Sequence, residues 1–202
     1  VARCNTPLSE GLMKKIALFC NVKEDCVIQN QTLPVLYEAP LMLEDAGLAK
    51  IVMRELHMEE KQASNLNDWK EMVERIKSCS EKVKIALVGK YVQLQDSYLS
   101  IVEALHHGGW INRVNVKIDW IDSEELNKDN LTERLGNADG IIIPGGFGDR
   151  GVEGMILAAG FARENNIPYL GICLGMQIAA ISYARDVLGL SDANSGEFAP
   201  DG

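Results

Sequence analysis

Pro168-Tyr169-Leu170-Gly171-Ile172-Cys173-Leu174-Gly175-Met176-Gln177 is the stretch on which the reading of this chain turns. Tyr169 to Ile172 is an apolar run of strand length and reads as a buried strand. A helical pattern follows without a linker, with Ile178, Ile181, Ala184 and Leu188 recurring on one face. Cys173 therefore falls on the turn from strand to helix. Gly171 and Gly175 flank it at the spacing of the nucleophile elbow, G-x-S-x-G, with sulfur in place of oxygen. Such a turn is strained and crowded, which explains a residue without Cβ on either side. The helix N-terminus points N–H groups and a partial positive charge at the sulfur, a setting in which thiolates form. Cysteine is also among the most buried residue types, so an inert core cysteine is the competing reading of the same residue.

Working back from the elbow, strands and helices alternate. Val83-Lys84-Ile85-Ala86-Leu87-Val88-Gly89 is a β-branched strand ending in glycine. Asp96 is placed to cap a helix with Tyr98, Ile101, Val102 and Leu105 on its apolar side, closed by Gly108-Gly109. Val114, Val116, Ile118 and Trp120 alternate with Asn115, Lys117 and Asp119, as expected of a second strand near a sheet edge. A short helix with Leu131 and Leu135 precedes a third strand, Ile141 to Ile143, which runs into Pro144-Gly145-Gly146-Phe147-Gly148. Arg150 to Asn166 reads as a helix, Tyr169 to Ile172 as the fourth strand and Leu174 to Leu188 as its helix. Repeated β-α-β units predict a doubly wound parallel sheet, an α/β fold whose ligands gather at the carboxyl ends of the strands.

The first eighty residues follow another pattern. The chain opens without a Met on what reads as the end of a strand, Val1-Ala2-Arg3-Cys4, as an excised piece would. Ser9 caps a helix whose apolar face is Leu12, Met13, Ile16, Phe19 and Cys20, with Lys14 and Lys15 off that stripe. Cys26-Val27-Ile28 is extended, and Pro34 and Pro40 bracket a short piece at Val35-Leu36-Tyr37. Leu41 to Met58 forms two short helices broken near Gly47, with Leu41, Met42, Leu43, Ile51, Val52 and Leu56 inward and His57 at a helix end. Lys61 to Asn67 is a polar loop. A further helix begins at Asn67 or Asp68, with Trp69, Met72, Val73 and Ile76 on one face. The change of pattern after Lys82 marks a domain boundary.

Bulk properties narrow the function. The 202 residues carry a net charge of −9, are 47% apolar and 24% charged, and contain no basic stripe, which argues against nucleic acid as a partner. No apolar run spans a membrane and the N-terminus lacks a signal peptide, so no membrane role is expected. The five cysteines, Cys4, Cys20, Cys26, Cys79 and Cys173, contain no C-x-x-C pair, which disfavours zinc and disulfide frameworks and predicts a reducing, cytoplasmic compartment.

A nucleophile at a strand end needs backbone donors for the oxyanion formed when it attacks a carbonyl. In an elbow one donor is the N–H of the next residue, Leu174. Gly146 is placed to supply the second from the neighbouring loop, though a plain turn after a strand is the bland alternative. Gly145-Gly146-Phe147-Gly148 does not fit G-x-x-x-x-G-K-[ST], and no G-x-G-x-x-G follows Val83 to Val88. A complete mononucleotide or dinucleotide fingerprint is excluded.

Pro144 to Gly148 followed by Leu170 to Gln177 resembles the glutaminase domain of class I glutamine amidotransferases. Within that superfamily, four further stretches are similar to the CTP synthase family: Lys15 to Cys20, Ala86 to Tyr91, Gly146 to Gly154, and Asp192-Ala193-Asn194-Ser195-Gly196-Glu197-Phe198. The resemblance runs along essentially the whole chain. It implies a flavodoxin-like doubly wound sheet, an incomplete glutaminase domain over 82–202. Before it come the mostly helical C-terminal part of an α/β amidoligase domain, 1–62, and a linker with a helix, 63–81. It implies a ligase that aminates UTP to CTP with ATP and Mg2+, using ammonia from glutamine, with GTP as activator and CTP as inhibitor, in a homotetramer. By the same resemblance Cys173 is the nucleophile, and Gly146 and Leu174 are the oxyanion donors. Gln177 and Glu197, with Gly146 and Leu174, hold glutamine. Lys15 contacts the UTP or CTP nucleotide and Leu33 lines the ATP adenine pocket. Lys90, Tyr91, Arg150, Gly151 and Glu153 are candidates for the GTP effect, against a solvated helix start as the plain reading. No metal ligand and no cofactor-binding motif is expected within the chain itself.

The alternatives are another class I amidotransferase, such as one serving GMP or carbamoyl phosphate synthesis, a flavodoxin-like cysteine hydrolase or redox sensor, and a non-catalytic nucleotide-binding or assembly module. The family's His and Glu that activate the cysteine match none of His57, His106 and His107, and its phosphate-binding loop and magnesium ligands have no counterpart here. Residues 1–202 alone are therefore expected to hydrolyse glutamine very poorly and to make no CTP. A glutaminase assay on this chain that returned near-normal turnover would refute that expectation.

Overall fold

The computed structural model describes residues 1–59 and 65–198. Most of the polar loop expected over Lys61 to Asn67, and the last residues Asp201 and Gly202, lie outside them. The chain divides into two compact units, with the division between Ser78 and Cys79.

The first unit runs β1 (Ala2–Cys4), α1 (Glu10–Cys20), β2 (Gln29–Gln31), α2 (Ala39–Asp45), α3 (Leu48–Glu55) and α4 (Asn67–Ser78). β1 and β2 pair in parallel, Arg3 opposite Asn30. Ser9 caps α1 by accepting from the Leu12 N–H, as its residue type predicts. Gly47, at φ 79°, separates α2 from α3. The Trp69 indole N–H donates to the Tyr37 carbonyl at 2.7 Å, and Lys77 pairs with Glu38 at 2.9 Å, tying α4 to the turn before α2. Three expectations fail in this unit. The buried residue of α1 is Ala17, while Leu12 and Phe19 are exposed. The less exposed edge of the helix is Met13, Ile16 and Ala17, and Gln29 of β2 reaches the Met13 sulfur with its side-chain amide. Val52 and Leu56 are likewise exposed rather than inward. Cys26 closes a 3-10 turn, Glu24–Cys26, and the extended stretch begins only after it.

The second unit runs β3 (Glu81–Gly89), α5 (Leu99–Ile111), β4 (Val114–Asp122), α6 (Leu131–Leu135), β5 (Gly140–Ile143), α7 (Val152–Glu164), β6 (Tyr169–Gly171) and α8 (Leu174–Asp186). Among its described residues four strands form a parallel sheet in the order β4-β3-β5-β6. This is the doubly wound α/β sheet that the alternation predicts, with β4 at an edge. The chain leaves β3 to one side for β4 and returns to its other side for β5. The topological switch point therefore lies between the carboxyl ends of β3 and β5. Strand periodicity splits the core in two. Ala86, Val88, Ile141 and Ile143 pack with Met155, Ala158, Leu174 and Ile178 on one face, while Leu87 and Ile142 pack with Tyr98, Ile101 and Leu105 on the other.

Three local expectations are corrected here. Asp96 caps nothing: it lies inside a 3-10 turn, Gln95–Tyr98, that leads into α5. α5 runs through Gly108 and Gly109 to Ile111, because Gly109 is the point at which the helix meets β4. A Cβ there would stand 2.7 Å from Val116 and 2.9 Å from the Val114 carbonyl. The strand β6 is not buried. Leu170 is 56% exposed, since among the described residues β6 pairs only with β5. Leu87, fully buried, and Leu170 thus separate two kinds of apolar strand residue. Leu87→Ala is expected to cost about 2–5 kcal/mol and Leu170→Ala less than about 0.5 kcal/mol, read from denaturant midpoints.

Candidate active site

Cys173 is the N-cap of α8, and its backbone sits at φ 53°, ψ −103°, a region that residues with a Cβ rarely occupy. Packing enforces it. The Ile172 N–H donates to the Ile143 carbonyl at 3.0 Å, and the same oxygen would stand 2.1 Å from a Cβ at Gly175. A Cβ at Gly171 would in turn stand 2.3 Å from the Gly175 carbonyl. The two glycines let strand end and helix start touch, and the residue between them is left no ordinary conformation. The Cys173 carbonyl accepts from the Met176 and Gln177 N–H groups at 3.1 and 3.3 Å, opening the helix. Tyr169, largely buried, donates its hydroxyl to the Gly175 carbonyl at 2.7 Å, and burial pushes its phenol pKa up. The Cys173 thiol is free and exposed.

The Gly145–Gly148 loop lies against this turn. A Cβ on Gly145 would be 3.6 Å from the Cys173 Cβ, and one on Gly146 would be 3.1 Å from the Leu174 side chain. The backbone of this loop and the first turn of α8 are therefore neighbours, as two oxyanion donors have to be. On the other side of the cysteine, the Gln177 amide donates to Glu197 at 3.2 Å. Ser195 joins them: its hydroxyl donates to the Gln177 carbonyl oxygen at 2.7 Å and accepts from the Glu197 N–H at 3.2 Å. In the sequence Ser195 stands out only as part of the stretch Asp192 to Phe198. Its signal as a residue of the site is the S-x-E spacing, in which a serine hydroxyl can bond the N–H two residues on.

The five effector candidates part company. Lys90 is buried at the end of β3 and Tyr91 is exposed beside it. Arg150 donates to the Lys90 carbonyl at 2.9 Å, pairs with Glu124, and stands 5.7 Å from the Tyr91 ring centre. Gly151, at φ 70°, starts α7 against Ser123. Glu153 faces elsewhere, in a two-pronged pair with Arg185 at 3.0 and 3.1 Å, and Arg185 also donates to the Ala193 carbonyl. In the first unit Lys15 is exposed on α1, its ammonium 6.0 Å from the Phe19 ring centre. Leu33 lines a cavity of about 580 Å³ together with Glu38, Leu41, Met42, Val73 and Lys77. His106 and His107 lie along Trp110 and Glu103 on α5. Among the described residues no group of three or more His, Cys, Asp or Glu side chains comes together.

Comparison with known proteins adds the following. The family model for glutamine amidotransferase class-I matches residues 93–199, and that for the CTP synthase N-terminus matches residues 1–58. The CTP synthase of Clostridium acetobutylicum is 52% identical over 99% of this chain, and that of Ruminiclostridium cellulolyticum 54% identical over 98%. The chain spans 37% of the length of each. Among solved structures, the glutaminase domain of Trypanosoma brucei CTPS with bound acivicin matches with a TM-score of 0.56 at 48% identity, covering 59% of this chain and 47% of that one.

The contacts at the elbow set a test. Gly175→Ala must displace either α8 or the end of β5 and is expected to cost about 1–3 kcal/mol and to slow alkylation of Cys173. Gly196→Ala, with open space at its Cβ, is expected to change stability by less than about 0.5 kcal/mol. Denaturant midpoints and the rate of thiol labelling check both.

Proposed function

We propose, from the premise that the chain belongs to the glutamine amidotransferase class I family, that it is the part of a CTP synthase in which glutamine is hydrolysed. The observation that carries the reading is the juxtaposition of an exposed thiol on a strained elbow with the Gly145–Gly146 backbone and the Gln177–Ser195–Glu197 cluster. The similarity to CTP synthases along both units supports the more specific assignment over another class I amidotransferase.

In this reading the Cys173 sulfur attacks the side-chain carbonyl carbon of glutamine. The negative charge that develops on the carbonyl oxygen is met by the N–H groups of Gly146 and Leu174, which are fixed before the substrate arrives and need no reorganisation. The C–N bond breaks, ammonia leaves and a glutamyl thioester remains, which water cleaves to glutamate. Glu197 supplies a carboxylate for the substrate's α-ammonium, with Gln177 fixing the rest of the amino-acid end. Ammonia then serves the ATP-dependent amination of UTP, for which Lys15 and Leu33 contribute nucleotide contacts. Leu33 suits an adenine by the apolar side of its cavity, Leu41, Met42 and Val73. GTP activation is assigned to Lys90, Tyr91 and Arg150 at the switch point, with Gly151 and Glu153 on the following helix. A cytoplasmic homotetramer belongs to the same proposal. No helix among the described residues is long and apolar enough to cross a membrane.

The test is made in the full-length enzyme. A diazo-ketone analogue of glutamine is expected to label Cys173 stoichiometrically, and glutamine to block it. Cys173→Ser is expected to lose glutamine-dependent CTP formation while keeping synthesis from added ammonia. Retention of glutamine-dependent activity would end the nucleophile assignment.

A further inference from the structure

Lys90 is 2% exposed, which is rare for a lysine, and among the described residues no carboxylate lies within ion-pair distance of its ammonium. Burying a charged amine is costly unless hydrogen bonds replace its water. Here they come from one short stretch of backbone. The ammonium donates to the Phe147 carbonyl at 3.0 Å and to the Gly148 carbonyl. The lysine stem lies under the preceding residue, so that a Cβ on Gly146 would be 3.5 Å from its Cδ and 3.1 Å from Leu174 on the other side.

The base of this lysine is equally fixed. The Lys90 and Tyr91 N–H groups both donate to the Tyr98 hydroxyl, at 3.1 and 3.3 Å, and the Lys90 carbonyl accepts from Arg150 at 2.9 Å. Burial, reinforced by the Arg150 charge, pulls the Lys90 pKa down, while Asp149, Glu197 and Glu124 push it up.

We infer that Lys90 is a positioning residue for glutamine hydrolysis: by holding the Phe147 and Gly148 carbonyls from beneath, it sets the orientation of the loop that carries the Gly146 oxyanion donor. The inference rests on the glutaminase reading above. Its physical basis is twofold: the held carbonyls fix the Phe147–Gly148 and Gly148–Asp149 peptide units that follow Gly146, and the lysine stem packs against Gly146 itself, 3.5 Å from where a Cβ would stand. A three-glycine loop has little else to hold it, since each glycine brings conformational freedom that some contact must remove. Misplacement by about 1 Å is enough to cost a reaction about 10²-fold.

The experiment compares Lys90→Met and Lys90→Arg with the parent in the full-length enzyme, with and without GTP. It reads kcat and KM for glutamine hydrolysis, and the affinity for a glutamine-derived aldehyde whose adduct with Cys173 places an oxyanion in the hole. In Lys90→Met, kcat is expected to fall by about 10² without GTP, with aldehyde affinity falling by a similar factor and KM changing less than about threefold. Lys90→Arg, which keeps charge and donors but not their placement, is expected to show smaller losses that move together. If the methionine variant does not fold, the arginine variant decides by the same comparison. Aldehyde affinity at the parental value in a folded variant, or a loss confined to assays with GTP, would overturn the assignment. An inactive parent would instead defeat the proposed function from which it starts.

Discussion

One carbonyl oxygen governs the geometry of the site. The Ile143 carbonyl ends β5, accepts the Ile172 N–H, and touches Gly175 so closely that no Cβ fits between them. With that contact made, α8 starts hard against the sheet. Leu174 and Ile178 drop into the core below it, and the one residue joining strand to helix is driven into a strained conformation with its sulfur outward. Among the described residues no hydrogen-bond partner of its own holds the Cys173 thiol. It is held by the packing of everything except itself, a backbone constraint that a change in side-chain chemistry at 173 would leave in place.

The parallel sheet supplies the rest by placing loops. Because β3 and β5 are neighbours although α5, β4 and α6 lie between them in sequence, Lys90 and Gly146 meet across the switch point. Because β6 follows β5 in the sheet, the elbow stands next to the glycine loop. Three turns, at Lys90, Gly146 and Cys173, 27 to 83 residues apart, are thereby gathered at one end of the sheet, where helix starts and free N–H groups also collect.

Much of this was legible in the sequence. The strand-glycine-cysteine-glycine-helix spacing carries the elbow, and the alternation of charged and apolar residues in Val114 to Trp120 carries the edge strand. What was not legible has physical causes. That Ala17 is the buried residue of α1 while Phe19 is exposed is a tertiary fact that no helical periodicity contains. The helix that continues through Gly108-Gly109 uses a glycine for close approach to a strand, and a glycine used for packing looks in sequence like one used for termination. A lysine after a strand reads as solvated. That Lys90 is buried follows only once the carbonyls of a loop 57 and 58 residues away fold over it.

The strained backbone at Cys173 has a consequence for what can stand at this position. A φ of 53° with ψ of −103° costs roughly 1–3 kcal/mol for a residue with a Cβ and much less for glycine. Exchange of the cysteine for glycine would relieve that cost and remove the thiol, so at position 173 backbone ease and a sulfur at the start of a helix exclude one another.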